Sequence, residues 1–450
     1  MKKTLLHLTL FLAFVSYSFS QEWEWTKMAG GPSIDKVTGL ANDLTGNLFI
    51  TGFFDSTIAF DSTKLVSAGG TDIFIAKYDA DGILLWAKQV GGQNDDYASG
   101  ISTDITGNCY ITGFFFIQGN ISTFGSTTIS EAGDADMFIS KFSAAGNLLW
   151  VRNGGGKGDD ASFGITTDVS GNSYLTGYFS GTALFGTTRV TSMGYSDVFV
   201  AKYDAAGNLV WIRTGGGAYQ DEAYSVSTDA SGNCYVTGYF TGNGTFSGIN
   251  VASAGYFDTD MFLLKYNPSG LLLWAKRSGG TGNDFAYGID IANSGHIFIC
   301  GVFKGTKSFG DNTLTRVSGS NGFVARYDGN GKMSWSRNTN GSGTNEFRKI
   351  STDASGNCYV IGAIGETVNI GSMELTSNGE KDACIIKYDQ KGSLMWALQG
   401  GGSESDEGFA ISSDAAGNCY VGGIFIDNAI FGRVKLSGVN LYDIFISRIK

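Results

Sequence analysis

Histidine and proline are nearly missing from this chain. Its 450 residues hold two histidines, His7 and His296, and two prolines, Pro32 and Pro268. With so little histidine, most familiar catalytic and zinc constellations are excluded. A Ser-His-Asp or Cys-His system beyond residue 20 would have to use His296. A zinc site of the His/Cys type needs several clustered ligands that the sequence does not supply. No Gly-rich loop follows a strand and opens a helix, so a phosphate-cradling motif is absent too. Few prolines beside 67 glycines imply many tight turns and few linkers. No Pro/Ser-rich stretch or charge block divides the chain, and no 3.6-residue periodicity appears after residue 20. Positive charge is also scarce: 31 basic against 42 acidic residues leave a net charge of −11. An acidic surface repels phosphate backbones, so a nucleic-acid partner is not expected. No later segment is long and apolar enough to cross a bilayer, so membrane insertion is not expected.

The first 20 residues read as a secretory signal peptide. Lys2 and Lys3 form its basic end, the run from Leu5 to Val15 is mostly apolar, and Ser18 and Ser20 suit cleavage before Gln21. Export to the extracellular space, cell surface or periplasm is therefore expected. Six cysteines in an exported chain invite a disulfide reading, but their positions oppose it. Cys109, Cys234, Cys358 and Cys419 fill one repeat position, and Cys300 and Cys384 fill two others. Equivalent positions in separate repeats lie about a sheet spacing (~10 Å) apart, too far for a disulfide. Buried free thiols are expected.

The repeat organises everything else. Gly-Asn pairs recur at 46, 107, 171, 232, 356 and 417, and Gly295-His296 fills the remaining slot. The seven copies are 61 to 64 residues apart, and such self-similarity marks a repeat architecture. In the fourth copy, Ala223 to Thr228 leads into the turn Asp229-Ala-Ser-Gly-Asn233, followed by a β-forming run from Cys234 to Phe240. An irregular stretch with Phe246 and Val251 precedes a third strand, Asp260 to Tyr266. A second Gly-closed turn and a last strand, Leu271 to Lys276, complete the unit. Four antiparallel strands repeated seven times predict an all-β, seven-bladed β-propeller of four-stranded blades over residues 21–450, as a single and monomeric domain. Small residues such as Gly39, Gly100 and Gly164 place the first strand nearest the axis. The strand-opening Asp and the Trp stand 14 residues apart, as in Asp72 and Trp86. The last opener, Asp443, has no matching Trp before Lys450, while Trp25 precedes Trp86 by one period. Residues 22–29 are therefore expected to supply the outer strand of the last blade and close the ring.

The run Asp-x-x-Gly-Asn-x-Tyr-x-Thr-Gly, with the later Asp-x-Phe-x-x-Lys-Tyr and Gly-x-Leu-x-Trp, resembles the bacterial beta-propeller repeats called SBBP. The resemblance covers 21–450 and implies an exported protein of Bacteroidetes-like bacteria, often at the cell surface. It implies no shared enzymatic activity, and no enzyme is expected here.

Two sets of residues are candidate sites. Asp35, Asp96, Asp160, Asp221, Asp284 and Asp406, with Asn345 in the sixth slot, begin the first strands and are expected to circle one mouth of the channel. Each carboxylate either caps backbone N–H groups or shares a cation, calcium on oxygen ligands being the candidate. No other cofactor is expected. Asp290, His296, Arg348 and Lys349 depart from the repeat pattern and are candidate binding residues; His296 also suits an ordinary turn position. The basic set Lys77, Lys141, Lys202, Lys265, Arg326, Lys387 and Arg448 is expected to lay its stems on the sheet with paired or solvated heads. The expected function is a binding or scaffold module for a protein or glycan at the cell envelope. A structural subunit of an envelope or secretion assembly, and an extracellular glycan-active enzyme, are the alternatives.

Overall fold

The computed structural model describes residues 21–450 except 117–121, 126, 130–132, 256, 310–311, 316–318, 415 and 440. The signal-peptide reading of residues 1–20 lies outside the described residues. Among those described, every regular element is a strand.

In each copy the first strand ends in a Gly-closed turn fixed by local residues. In the first, Asp43 Oδ1 accepts the backbone N–H of Thr45 and of Asn47, both at 3.0 Å. The Asn47 side chain donates to Asp43 Oδ2 at 2.8 Å. Gly46 sits at φ +83°, a left-handed conformation that costs glycine little. The turn reverses the first strand, Asp35–Asn42, into the second, Leu48–Phe60. In the fourth copy the strands are Glu222–Thr228, Cys234–Thr241, Thr259–Tyr266 and Leu272–Gly280, paired in that order.

The stretch expected to be irregular is a fifth and sixth strand. Asn243–Phe246 and Ile249–Ala252 form a hairpin. It pairs with the preceding copy, Gly215 opposite Phe246 and Gly217 opposite Gly244. The sequence misled because strands of four residues, half exposed, carry no alternation strong enough to read. As a result the sheets are not separate four-stranded blades. Among the described residues there are eight sheets, the largest of eight strands, and none closes on itself.

The N-terminal strand Trp23–Gly30 lies antiparallel to Asp443–Ile449, with Trp25 opposite Arg448 and Ala29 opposite Ile444. Its other edge meets the first copy, Ala29 opposite Phe60. This is the same join that links the third copy to the fourth. The core lies between successive copies. Phe49 and Ile73 of the first pack with Ile111 and Phe138 of the second, and Phe54 and Phe74 pack with Tyr420 and Ile444 of the seventh. All six cysteines are buried free thiols.

Candidate functional site

The first strands meet around one axis. Consecutive first strands touch, and Asp35–Asn42 also touches Glu407–Ser413 of the last copy. The glycines permit this approach: a Cβ on Gly164 would stand 2.9 Å from the Cα of Ser225 in the next copy. Every first strand carries a β-bulge at the same place, at Thr38, Ser99, Phe163, Tyr224, Tyr287, Arg348 and Phe409 in turn. A bulge re-aims its side chain, and all seven line one cavity of about 390 Å³, with Ser99 and Thr38 its small members. Deeper along the axis lies a smaller space of about 180 Å³, lined in part by Gly39, Gly164, Asp290 and Lys349.

The acidic set lies elsewhere. Asp35, Asp96, Asp160, Asp221, Asp284 and Asp406 are buried between neighbouring copies and do not line the opening. The alternating pleat turns them away from the axis and brings the residues one and three positions later, such as Lys36 and Thr38, to face it. Most cap backbone groups. Asp160 accepts from Gly156 N at 2.6 Å and Ser180 N at 3.1 Å. Asp221 and Asp406 repeat this with Gly217 and Thr241, and with Gly402 and Ile426. Asp284 accepts from Gly280 and Lys304, and Asp96 from Gly92. Asn345 Oδ1 accepts from Gly365.

Each also has an acidic neighbour that the sequence reading did not pair with it. The strand-opening Asp of the preceding copy faces the same glycine: a Cβ on Gly216 would stand 2.7 Å from both Asp197 Oδ1 and Asp221 Oδ2. Burial, opposed by the backbone N–H groups and reinforced by the facing carboxylate, pushes Asp160, Asp221 and Asp406 up to about 7. Burial and then Asp443, opposed by the Gly31 backbone, push Asp35 up to about 8. In the sixth slot three residues change together. Asn321 and Asn345 replace the two aspartates, and Asn340 replaces the glycine. Its fourth strand breaks there, at Met333–Asn338 and Asn340–Gly341. That joint change, at a constant 24-residue spacing, was the signal in the sequence. No group of three or more His, Cys, Asp or Glu side chains placed to hold a metal ion occurs among the described residues.

Of the four pattern-breaking residues, three reach the axis. Asp290 spans copies: it accepts from Ser227 Oγ at 3.1 Å and from Thr352 N and Oγ1, both at 2.8 Å. Burial still pushes its carboxyl up. Arg348 pairs with Glu346 at 2.9 Å and Glu407 at 2.7 Å, with its guanidinium over the Phe409 ring. Lys349 stands where other copies have Gly, Ser or Ala. His296 does not join them; it sits in a turn, its Nδ1 2.7 Å from Ser294 Oγ. Lys36, Phe163, Tyr224, Tyr287 and Phe409 were missed, although they stand ten or eight residues before the turn glycine in their copies. The basic set is paired on the far side, as in Lys77 with Asp43 at 3.2 Å and Lys141 with Asp104 at 3.3 Å.

A family model described as "Beta-propeller repeat" (SBBP) matches residues 85–113, the last strand of one copy and the first two of the next. The chain is 24% identical over 472 residues to the "Uncharacterized WD repeat-containing protein L264" of Acanthamoeba polyphaga mimivirus, covering 83% of this chain and 34% of that protein. It is 27% identical over 158 residues to the "Regulatory protein FlaEY" of Caulobacter vibrioides (strain ATCC 19089 / CIP 103742 / CB 15), covering 31% and 15%. The chain thus spans about a third of the viral relative's length and less of the bacterial one. Among solved structures, Sqt1 from Chaetomium thermophilum covers 95% of this chain and 99% of its own, at 8% identity and a TM-score of 0.47. The puromycin hydrolase S511A mutant complexed with PGG covers 91% and 55%, at 11% identity and a TM-score of 0.44.

The fold is therefore all-β and built of β-propeller-type repeats, a class that includes WD-repeat proteins and suits protein interaction. The expectation that no enzyme is present is corrected to an open one: a hydrolase is among the solved structures to which this chain is similar. That likeness, at 11% identity, assigns no activity to this chain.

Proposed function

We propose that the chain is an exported β-propeller of seven blades that docks a protein partner at the bacterial cell envelope. The cyclic contacts of the first strands support the seven-bladed ring. So does the N-terminal strand, which stands beside the last copy where a fourth strand would lie. The composition of residues 1–20 supports export.

The observation that carries the docking reading is an apolar arc at the turn end of the first strands. Leu44, Ile105 and Val169 are exposed at three successive turn tips, at 76%, 58% and 69%. The tips are held side by side: Thr103 Oγ1 donates to Asn42 O at 2.7 Å, and Thr167 Oγ1 to Thr103 O at 2.6 Å. Contiguous exposed apolar groups of this kind mark interaction surfaces. The other copies have Ala230, Asn293, Ala354 and, in the seventh, alanine at this place, so the arc is one-sided, as a docking face for a single partner would be.

Photo-crosslinking from Ile105 in envelope preparations tests this. A discrete crosslinked protein, lost when Leu44, Ile105 and Val169 are replaced by Asp, is expected. Crosslinks that persist in the triple variant, or a chain recovered wholly from the cytosol, would refute the reading.

A further inference from the structure

Three cations gather at the axial opening of a chain that is acidic overall. Lys36, Arg348 and Lys349 come from the first and sixth copies, which flank the seventh. Arg348 is already held by Glu346 and Glu407, and Lys381 also takes Glu407 at 3.2 Å. The two lysines have no such partner among the described residues. Lys36 places its ammonium over the Phe409 ring, 3.8 Å from the centroid. Burial and then the Arg348 charge, opposed by Glu407, bring Lys36 down to about 8. Burial lowers Lys349 too, opposed by the Cys300 thiol. A desolvated ammonium without a counter-ion is costly. At the place of Lys349 the other copies hold Gly39, Gly100, Gly164, Ser225, Gly288 and Ala410, so the repeat itself does not require a charge at that position.

Across the opening the wall is aromatic. Phe163, Tyr224 and Tyr287 come from three successive copies, with ring centroids 5.5 and 5.3 Å apart. Tyr224 and Tyr239 hydrogen-bond Glu222, which keeps that carboxylate on the aromatic side. The opening is thus cationic on one arc and a ring-stacking surface on the other, within a cavity of about 390 Å³ that suits a small ligand.

We propose that this opening binds an organic acid in which a carboxylate is joined to a ring, the carboxylate meeting Lys36 and Lys349 and the ring lying on Tyr224 and Tyr287. A single negative charge suits the site: Glu346 and Glu407 already hold Arg348 and Glu222 lies beside Tyr224, so a second charge such as that of phosphate would meet carboxylates close by. Stacking on tyrosine serves a sugar acid and an aromatic acid alike. The inference goes beyond partner docking. It depends on the start of the first strands, whereas the docking arc lies at their far end, so either can fail alone.

Isothermal titration calorimetry of the whole exported chain tests it, with glucuronate and 4-hydroxyphenylacetate as probes and their uncharged methyl esters and inorganic phosphate as controls. One site per chain is expected for at least one acid. Preference for glucuronate points to a glycan source, and preference for the aromatic acid to a small metabolite. The esters, Lys349→Met and Lys36→Gln should each bind about tenfold to a hundredfold more weakly, the range for losing a charged hydrogen bond. Lys349→Met keeps most of the side chain's apolar length and removes the half-buried charge, so its melting temperature should not fall. In the unsubstituted protein, bound acid should protect Lys349 and Lys36 from amine acylation, read by mass spectrometry. No heat from either acid at millimolar concentration, equal binding of phosphate, unchanged affinity in both lysine variants, or unchanged acylation would each overturn the proposal.

Discussion

Trp25→Ala tests whether residues before the first repeat are part of it. Trp25 Nε1 donates to Ala80 O at 3.3 Å, and its ring lies against Gly82 in the second turn of the first copy. Trp86 does the same to the second copy, with Nε1 3.2 Å from Ala144 O and its ring against Gly146. Both rings are half-buried. Truncating a fully buried Trp costs about 3–5 kcal/mol, so half burial accounts for about 2 kcal/mol. The lost hydrogen bond adds ~1 kcal/mol. The expected cost is ~2–3 kcal/mol for Trp25→Ala and the same for Trp86→Ala, a large part of the 5–15 kcal/mol that holds a typical domain together. Urea denaturation followed by far-ultraviolet circular dichroism measures both. Deleting residues 21–29 should cost more than Trp25→Ala, because it also removes the pairing of Trp23–Gly30 with Asp443–Ile449. If Trp25→Ala stays within ~0.5 kcal/mol of the unsubstituted protein while Trp86→Ala does not, the N-terminal strand is not the structural equivalent of a fourth strand.

Three further outcomes are expected. Asp160, Asp221 and Asp406 have folded values near 7 against an ordinary 3.8. Their contribution is complete below pH ~4 and lost as the pH rises toward 7, on the order of 1 kcal/mol or more for each group. Groups held low, such as Asp104 near 2, change only at more acidic pH. Urea midpoints should therefore fall between pH 5 and 8, and Asp136→Asn with Asp160→Asn, copying the sixth slot, should reduce that slope; an unchanged slope would refute the pairing. Calcium should leave the melting temperature where it is, because the capping aspartates have their own backbone donors; a rise abolished by Asp96→Asn with Asp221→Asn would reverse that conclusion. Alkylation under denaturing, non-reducing conditions should modify six thiols, and fewer would reveal a disulfide.

Much of this molecule was legible because its information is local and repeated seven times. Asp43, Gly46 and Asn47 specify a turn within five residues, and the same residues recur in every copy but the fifth, which keeps the glycine as Gly295, so the strand order and the repeat phase follow from spacing alone. The small residues at Gly39, Gly100 and Gly164 reported crowding before any neighbour was known. The short hairpin Asn243–Phe246 and Ile249–Ala252 was not legible, because its stability comes from pairing with Gly215–Gly217 of another copy rather than from its own pattern. The acidic set was found, but its direction was not. One residue of pleat decides whether a carboxylate faces an axis or a neighbouring glycine, and the partner Asp197 of Asp221 meets it only across two copies. The axial opening was the least accessible of all. Lys36, Tyr224, Tyr287 and Lys349 lie as far as 313 residues apart in the chain. Only the meeting of first strands around an axis brings two ammonium groups, neither in an ion pair among the described residues, opposite an aromatic wall. Sequence determined the unit and its period, since these rest on turns and alternation; tertiary structure decided which side chains face one another, since that depends on how the units curve and meet.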